Sequence, residues 1–187
     1  LNFPNVTLVG VIGADKASYS EDFRSFERSF SLLTQVVGRA GRGNIKGKAV
    51  VQTASLDNNL IDVASKQDYN AFYNEEILSR KLYIFPPYCD VCVVWAQATE
   101  KSNAIDAINL VLNAIREKIE NEYNDIKLII LGPTASSVPK VNNKYRFKIL
   151  IKCKNNKRFR DMLRSAISLK LKGDTAVYVD INPETVI

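Results

Sequence analysis

Residues 144–153 read Lys-Tyr-Arg-Phe-Lys-Ile-Leu-Ile-Lys-Cys, and this alternation constrains the fold more than any other stretch of the chain. Successive side chains of a β-strand point to opposite faces. Lys144, Arg146, Lys148 and Lys152 therefore share one face, broken only by Leu150, while Tyr145, Phe147, Ile149, Ile151 and Cys153 share the other. The second face has to be covered by apolar elements, and the first is expected to stay open to water. Like charges on one face repel, so such a row is mildly destabilising unless an anion lies close by. A helix expected over 156–169 repeats the division. Lys157, Arg160 and Arg164 step by three and four along one side, and Phe159, Met162, Leu163, Ala166 and Ile167 make the buried side.

The surrounding segments supply the cover. A strand is expected over 90–98, then a helix over 102–123 capped by Ser102, with Ile105, Ile108, Leu112, Ile115 and Ile119 at steps of three and four. Strands over 127–131 and 144–153, the basic helix and a strand over 176–181 complete the series. The order β-α-β-β-α-β is that of the ferredoxin-like split βαβ motif. Between the two middle strands, Gly132-Pro133 to Pro139-Lys140 reads as a loop in which Ser136 and Ser137 make turn hydrogen bonds.

The first third of the chain has a different pattern. Residues 6–14 are a nearly continuous apolar run, as in a strand buried on both faces. A helix follows over 25–37, with Phe26, Phe30, Leu33 and Val37 on one side and glycines at 38 and 41 to end it. Another short strand is expected over 48–53, which makes part of a parallel βαβ layer. Residues 57–82 are helical in pattern, with Asp57 and Asp68 as candidate N-caps and Tyr69, Phe72, Tyr73 and Ile77 as the apolar stripe. Pro86-Pro87 forces an extended connection after them. The expected fold is thus α/β, in three parts: a partial parallel-sheet domain over 1–57, a helical linker over 58–88 and an α+β domain over 89–187.

Charge and residue usage narrow the chemistry. Residues 1–133 carry 14 Lys and Arg against 16 Asp and Glu, whereas 134–187 carry 12 against 4, so all the excess positive charge sits in the last third. Lys140, Lys144, Arg146, Lys148, Lys152, Lys157, Arg160 and Arg164 are the candidates for holding a polyanion. Nucleic acid is the first candidate, with an acidic protein tail and an ordinary solvated face as the alternatives. The chain has no histidine, the commonest general base and metal ligand near neutral pH. Cys89 and Cys92 form a C-x-x-C, but it runs into a strand, where positions three apart face opposite sides, and only Cys153 remains as a third thiol. No metal site is expected. Three cysteines make no disulfide framework, which fits a reducing, cytoplasmic compartment. No apolar run approaches a membrane span. The chain starts at Leu1 rather than Met, and a fragment of a longer protein is expected.

Residues 34–43, TQVVGRAGRG, set Gln35, Arg39 and Arg42 among Gly38, Gly41 and Gly43 at the end of the first helix. A planar, permanently charged guanidinium matches phosphate oxygens, and glycine lets a ligand approach closely; a solvated helix end would look similar. Gln35-Val36-Val37-Gly38-Arg39-Ala40-Gly41-Arg42 resembles the Q-x-x-G-R-x-G-R sixth motif of superfamily 2 helicases. Leu1 to Val9, Asp22-Phe23-Arg24, Glu27-Arg28, Gly47 to Thr53, Pro86-Pro87-Tyr88, Leu131-Gly132-Pro133, Pro139-Lys140 and Tyr145-Arg146-Phe147 are similar, in order, to the bacterial primosomal protein N′ (PriA) family of replication-restart helicases. The resemblance implies that residues 1–57 end the second RecA-like helicase lobe and that the rest is the family's C-terminal domain. It implies an ATP-driven 3′→5′ DNA helicase acting at stalled forks and D-loops, in the cytoplasm with the nucleoid. It implies forked and single-stranded DNA, single-stranded-DNA-binding protein and other primosome proteins as partners. Arg39 and Arg42 would approach the γ-phosphate, Gln35 would complete the contact, and Gly38 and Gly41 would permit close approach. No phosphate loop or acidic magnesium box is present, so ATP, magnesium and the family's zinc would be held by upstream chain, and this fragment alone would be inactive. The family's basic strand carries tryptophan where Tyr145 and Phe147 stand here.

Overall fold

A computed structural model describes residues 6–15, 20, 22–38, 47–54 and 59–186. The chain divides into two compact units, Leu1–Tyr83 and Ile84–Ile187.

In the first unit, strand β1 (Leu8–Val11) pairs in parallel with β2 (Lys48–Val51), Leu8 opposite Lys48 and Val11 opposite Val51, with helix α1 (Ser25–Val37) between them in sequence. Parallel strands need such a crossover, because a tight turn can only reverse the chain. Helix α2 (Asn59–Ser65) and helix α3 (Tyr69–Tyr83) follow. Phe30 and Leu33 of α1 are buried with Leu60, Val63 and Ala64 of α2 and Phe72 of α3. The rings of Phe30 and Phe72 stack at 4.2 Å and 8°. The Asp68 carboxylate accepts the Ala71 N–H at 3.0 Å and caps α3, as the sequence suggested; Asp57 lies outside the described residues. Both helices pack on α1, and the second unit begins at Ile84.

Two expectations for this unit are corrected. The first strand is not buried on both faces: Leu8 is 62% exposed, and beyond the strand Ile12 is 84% exposed. The half-buried Val9, Val11, Ala49 and Val51 share one side, on which Val11 and Val51 pack against the helix cluster. Phe26, counted with the buried side of α1, is also exposed.

The second unit contains strand β3 (Asp90–Ala98), helix α4 (Lys101–Asn121), strand β4 (Ile129–Val141), strand β5 (Lys144–Cys153), helix α5 (Lys157–Ile167) and strand β6 (Ala176–Ile181). The strands lie in the order β4-β5-β3-β6, and every neighbouring pair is antiparallel. One face carries the core. Cys92, Val94 and Ala96 of β3 and Ile149, Ile151 and Cys153 of β5 are buried with Ala107, Ile108, Val111, Leu112 and Ile115 of α4 and Phe159, Met162, Leu163 and Ala166 of α5. Val177, Val179 and Ile181 of β6 pack against the same cluster. Asn156 caps α5, its Oδ1 accepting the Phe159 N–H at 2.8 Å.

Helix α4 begins one residue earlier than expected, with Glu100 at the cap position and no side-chain cap bond, so Ser102 is not the cap. The larger correction is β4. The stretch read as a loop is strand, and β4 continues to Val141. Its pairing with β5 shifts register between Leu131 and Thr134 and again between Ala135 and Lys140, which absorbs the prolines that made the segment look like a loop. Asn142 and Asn143, with φ of 48° and 62°, then turn the chain directly into β5. Two successive left-handed residues match the twist of a hairpin, and asparagine tolerates that conformation well.

Candidate functional site

Gln35 is exposed near the end of α1 and shares a shallow surface depression with Thr34, Gly38, Gln67 and Tyr69. Gly38 ends the helix with a right-handed φ of −67°, and its N–H donates to the Thr34 carbonyl at 3.0 Å. That N–H is therefore occupied. A side chain at 38 would sit 3.3 Å from the Thr34 carbonyl and 3.5 Å from the Gln67 amide nitrogen, so the glycine keeps the helix end close to the α2–α3 turn. Arg39, Gly41 and Arg42 lie outside the described residues. The start of the helix is held firmly. Asp22, 2% exposed, accepts the Arg24 N–H at 2.9 Å and pairs with Arg28 at 2.8 Å. Arg80 of α3 pairs with both Glu27 and Glu76 at 2.8 Å, and the guanidinium groups of Arg24 and Arg80 lie over the Phe23 ring at 5.2 and 5.5 Å.

The alternation of β5 is as expected in its apolar half, since Ile149, Ile151 and Cys153 face the core. The basic half is corrected. It is not a row open to water, because Lys148 and Lys152 are 6% and 8% exposed. Each cation has its own seat. Lys144 Nζ lies 3.2 Å from the Asp174 carboxylate, and Lys148 Nζ donates to the Val186 carbonyl at 2.6 Å. The Lys152 ammonium lies 3.8 Å from the Phe85 ring centre, and Arg146 stacks over Trp95 at 4.4 Å. Aromatic faces attract cations through their quadrupole, so the row is accommodated from within the unit by two rings, a carbonyl and the Asp174 carboxylate. Burial pushes the Lys152 ammonium below the usual lysine range, with the nearby Cys89 opposing it. Asp174 is held at about 2 by the Thr99 hydroxyl and N–H, at 2.7 and 3.2 Å, and then by Lys144.

The aromatic seats were not visible in β5 itself. Trp95 and Tyr178 lie on the cation-bearing face, in a row Lys148–Trp95–Tyr178 across three strands, with the two rings 6.2 Å apart and inclined by 18°. Of the two β5 aromatics expected on the covered face, Phe147 packs against the core, and Tyr145 is half-buried near the hairpin end. Alternation in β6 carried the signal for Tyr178, because Val177 and Val179 take the core side. It carried none for Trp95, whose strand is apolar at nearly every position. This face is graded. Val91 and Val93 are 1% and 0% exposed, whereas Gln97 and Arg146 are partly open and Tyr178 is 37% exposed.

Lys140 is exposed at the hairpin end, with Nζ 4.7 Å from the Tyr145 ring centre. Lys157, Arg160 and Arg164 are exposed on α5, which packs on the core side of the sheet. The structure thus does not bring the helix cations together with the β5 row; they occupy opposite sides of the sheet. The Cys92 and Cys153 thiols are each pushed up to about 12, chiefly by burial. Among the described residues, no group of three or more His, Cys, Asp or Glu is placed to hold a metal ion. No helix among them is long and apolar enough to cross a membrane.

Residues 81–184, which include every strand and helix of the second unit, match the model of the primosomal protein N C-terminal domain. The chain belongs to that family. Over 98% of its length it is 35% identical to the replication restart protein PriA of Bacillus subtilis. It is 34% identical to that of Rickettsia typhi over 98%, and 32% identical to that of Chlamydia trachomatis over 99%. The chain spans about a quarter of the length of these relatives, 23%, 27% and 24%, and the match falls in their C-terminal part. A solved de novo designed protein, Foldit4, aligns with 51% of this chain and 97% of its own at a TM-score of 0.36 and 11% identity.

Proposed function

We propose that this chain is the C-terminal part of an ATP-dependent 3′→5′ DNA helicase that restarts replication at stalled forks and D-loops. The observation that carries the reading is the Gln35–Arg42 motif, which begins in the last turn of a helix that links two parallel strands, in a chain of the primosomal protein N C-terminal domain family. In this reading the first unit ends a RecA-like motor lobe, and the second is a ferredoxin-like domain that grips forked or single-stranded DNA. Single-stranded-DNA-binding protein and other primosome proteins are its further partners, in the cytoplasm.

ATP with magnesium, held by upstream chain, supplies the phosphoryl group and its charge. Arg39 and Arg42 stabilise the charge that develops as the γ-phosphoryl leaves. Gln35, exposed at the same helix end, is free to reach the nucleotide. Gly38 contributes closeness rather than a hydrogen bond, since its N–H is spent on Thr34. The family's zinc would likewise be held by upstream chain.

The test restores the upstream chain and measures DNA-stimulated ATP hydrolysis. Arg39→Ala and Arg42→Ala should each slow turnover by at least about tenfold, at the low end of arginine-finger effects. Turnover within twofold of the parent in both variants overturns the γ-phosphate role. A second reading, a non-catalytic nucleic-acid-binding or docking module, is favoured by one observation, the exposed Tyr178 ring beside cations on the sheet. It predicts oligonucleotide binding with no ATPase in the restored protein.

A further inference from the structure

We infer that the groove at the Arg146 end of the sheet holds one nucleotide of a single strand, its phosphate on Arg146 and Lys144 and its base on Tyr178. The inference rests on the reading of the second unit as a nucleic-acid grip.

Arg146 differs from Lys144 and Lys148 of β5. Lys144 has a carboxylate partner and Lys148 a carbonyl, whereas Arg146 has no carboxylate within ion-pair distance among the described residues. Its guanidinium is nevertheless fixed, stacked on Trp95 at 4.4 Å with one Nη2 hydrogen bond to the Tyr178 hydroxyl at 3.2 Å. Its Nε is buried and has no hydrogen-bond partner. A guanidinium offers five donors in a rigid fork, so beyond the enclosed Nε and the bond to Tyr178 it keeps donors for a ligand oxygen. An immobilised cation of this kind is prepared for an anion, since little rotamer freedom is lost on binding.

The groove beside it supplies the rest. Gln97, Val141, Asn142, Lys144, Arg146 and Tyr178 line a cleft of about 440 Å³. It combines two cations, two side-chain amides and a partly exposed phenol ring. Trp95 backs that ring at 6.2 Å and 18°, and the Tyr178 hydroxyl is engaged by Arg146, so the ring is a rigid platform. Stacking on such a ring is open to every base, because each has a π-face. A phosphate for the guanidinium, a flat base for the ring and a base edge for the amides are three parts of one nucleotide. A base can lie on Tyr178 only when unpaired, which selects single strands over duplex. An acidic peptide would satisfy Arg146 and Lys144 but offers nothing that needs the ring and both amides together.

The chain has one tryptophan, so Trp95 reports on this groove alone. The 187-residue chain is titrated at low salt with a labelled oligothymidylate of about 12 nucleotides, within the usual span of single-strand sites. Intrinsic fluorescence and label anisotropy are followed together. Quenching of Trp95 in step with the anisotropy is expected. Tyr178→Leu should weaken binding by about tenfold, and Tyr178→Phe, which keeps the ring, by about threefold or less. Arg146→Met should weaken it by about tenfold or more and flatten its salt dependence. Thermal melting of each variant separates loss of fold from loss of site. Anisotropy that rises without quenching, and is unchanged in Tyr178→Leu, overturns this inference and leaves the nucleic-acid grip standing elsewhere on the chain. Absence of any oligonucleotide binding overturns the grip as well. An acidic peptide that binds where the oligonucleotide does not, and loses affinity in Arg146→Met, assigns the groove to a protein tail instead.

Discussion

The two faces of β5 bury side chains to similar depth by different physics. On the helix side, Ile149 and Ile151 are fully enclosed by apolar atoms of α4 and α5. On the other side, Lys148 and Lys152 are almost as enclosed, and their charges rest on a carbonyl and on aromatic rings. The helix side holds the unit together. The cation side holds positive groups that their own unit has already positioned. Burial alone therefore does not separate core from site in this domain; the partner of each buried group does.

The sharpest way to break that comparison is to truncate one side chain from each face and compare melting free energies. Ile151→Ala removes a fully buried branched chain and should cost about 2–5 kcal/mol, because the enclosing helices cannot collapse into the space. Lys148→Met keeps the volume and removes the donor to the Val186 carbonyl, for an expected cost of about 1–3 kcal/mol. If Lys148→Met proved the more damaging change, the cation face would be the structural one and the contrast would be inverted. The smallest effect lies at the hairpin end. Asp174 is depressed from 3.8 to about 2, so its contribution to folding is complete above pH 4 and is lost as the pH falls through 2. The Thr99 amide resonance should follow that titration, with a midpoint near 2. A midpoint at 3.8 would mean that the Thr99 bonds do not form in solution.

How much of this was legible in the sequence differs by element. The order of the elements in the second unit followed from apolar spacing, because each helix there has one covered side and β5 alternates without a fault in its apolar half. The full extent of β4 did not. Its prolines and glycine mimic a loop, and only pairing with β5 across register shifts makes the segment a strand. The face of Trp95 was hidden by the uniform apolarity of Val91–Ala96, where no alternation marks inside from outside. The covering of Lys148 and Lys152 was hidden for another reason: Val186 and Phe85 are 38 and 67 positions away, and no local pattern announces so distant a contact. In the first unit the reverse holds. The Gln35–Arg42 motif was legible in its letters alone, while Arg39 and Arg42 lie outside the described residues.

The two interruptions in β4 have a consequence beyond shaping the hairpin. β4 is an outer strand of its sheet, 13 residues long, and Leu131 and Val138 on it are 47% and 58% exposed. A straight apolar edge of that length is a template on which a second chain can add strand to strand. The register shifts leave at most three consecutive residues in regular pairing before the ladder is broken. A foreign strand laid along β4 would lose its hydrogen bonds at each break. The breaks thus leave this edge without a long regular ladder for an added strand to follow.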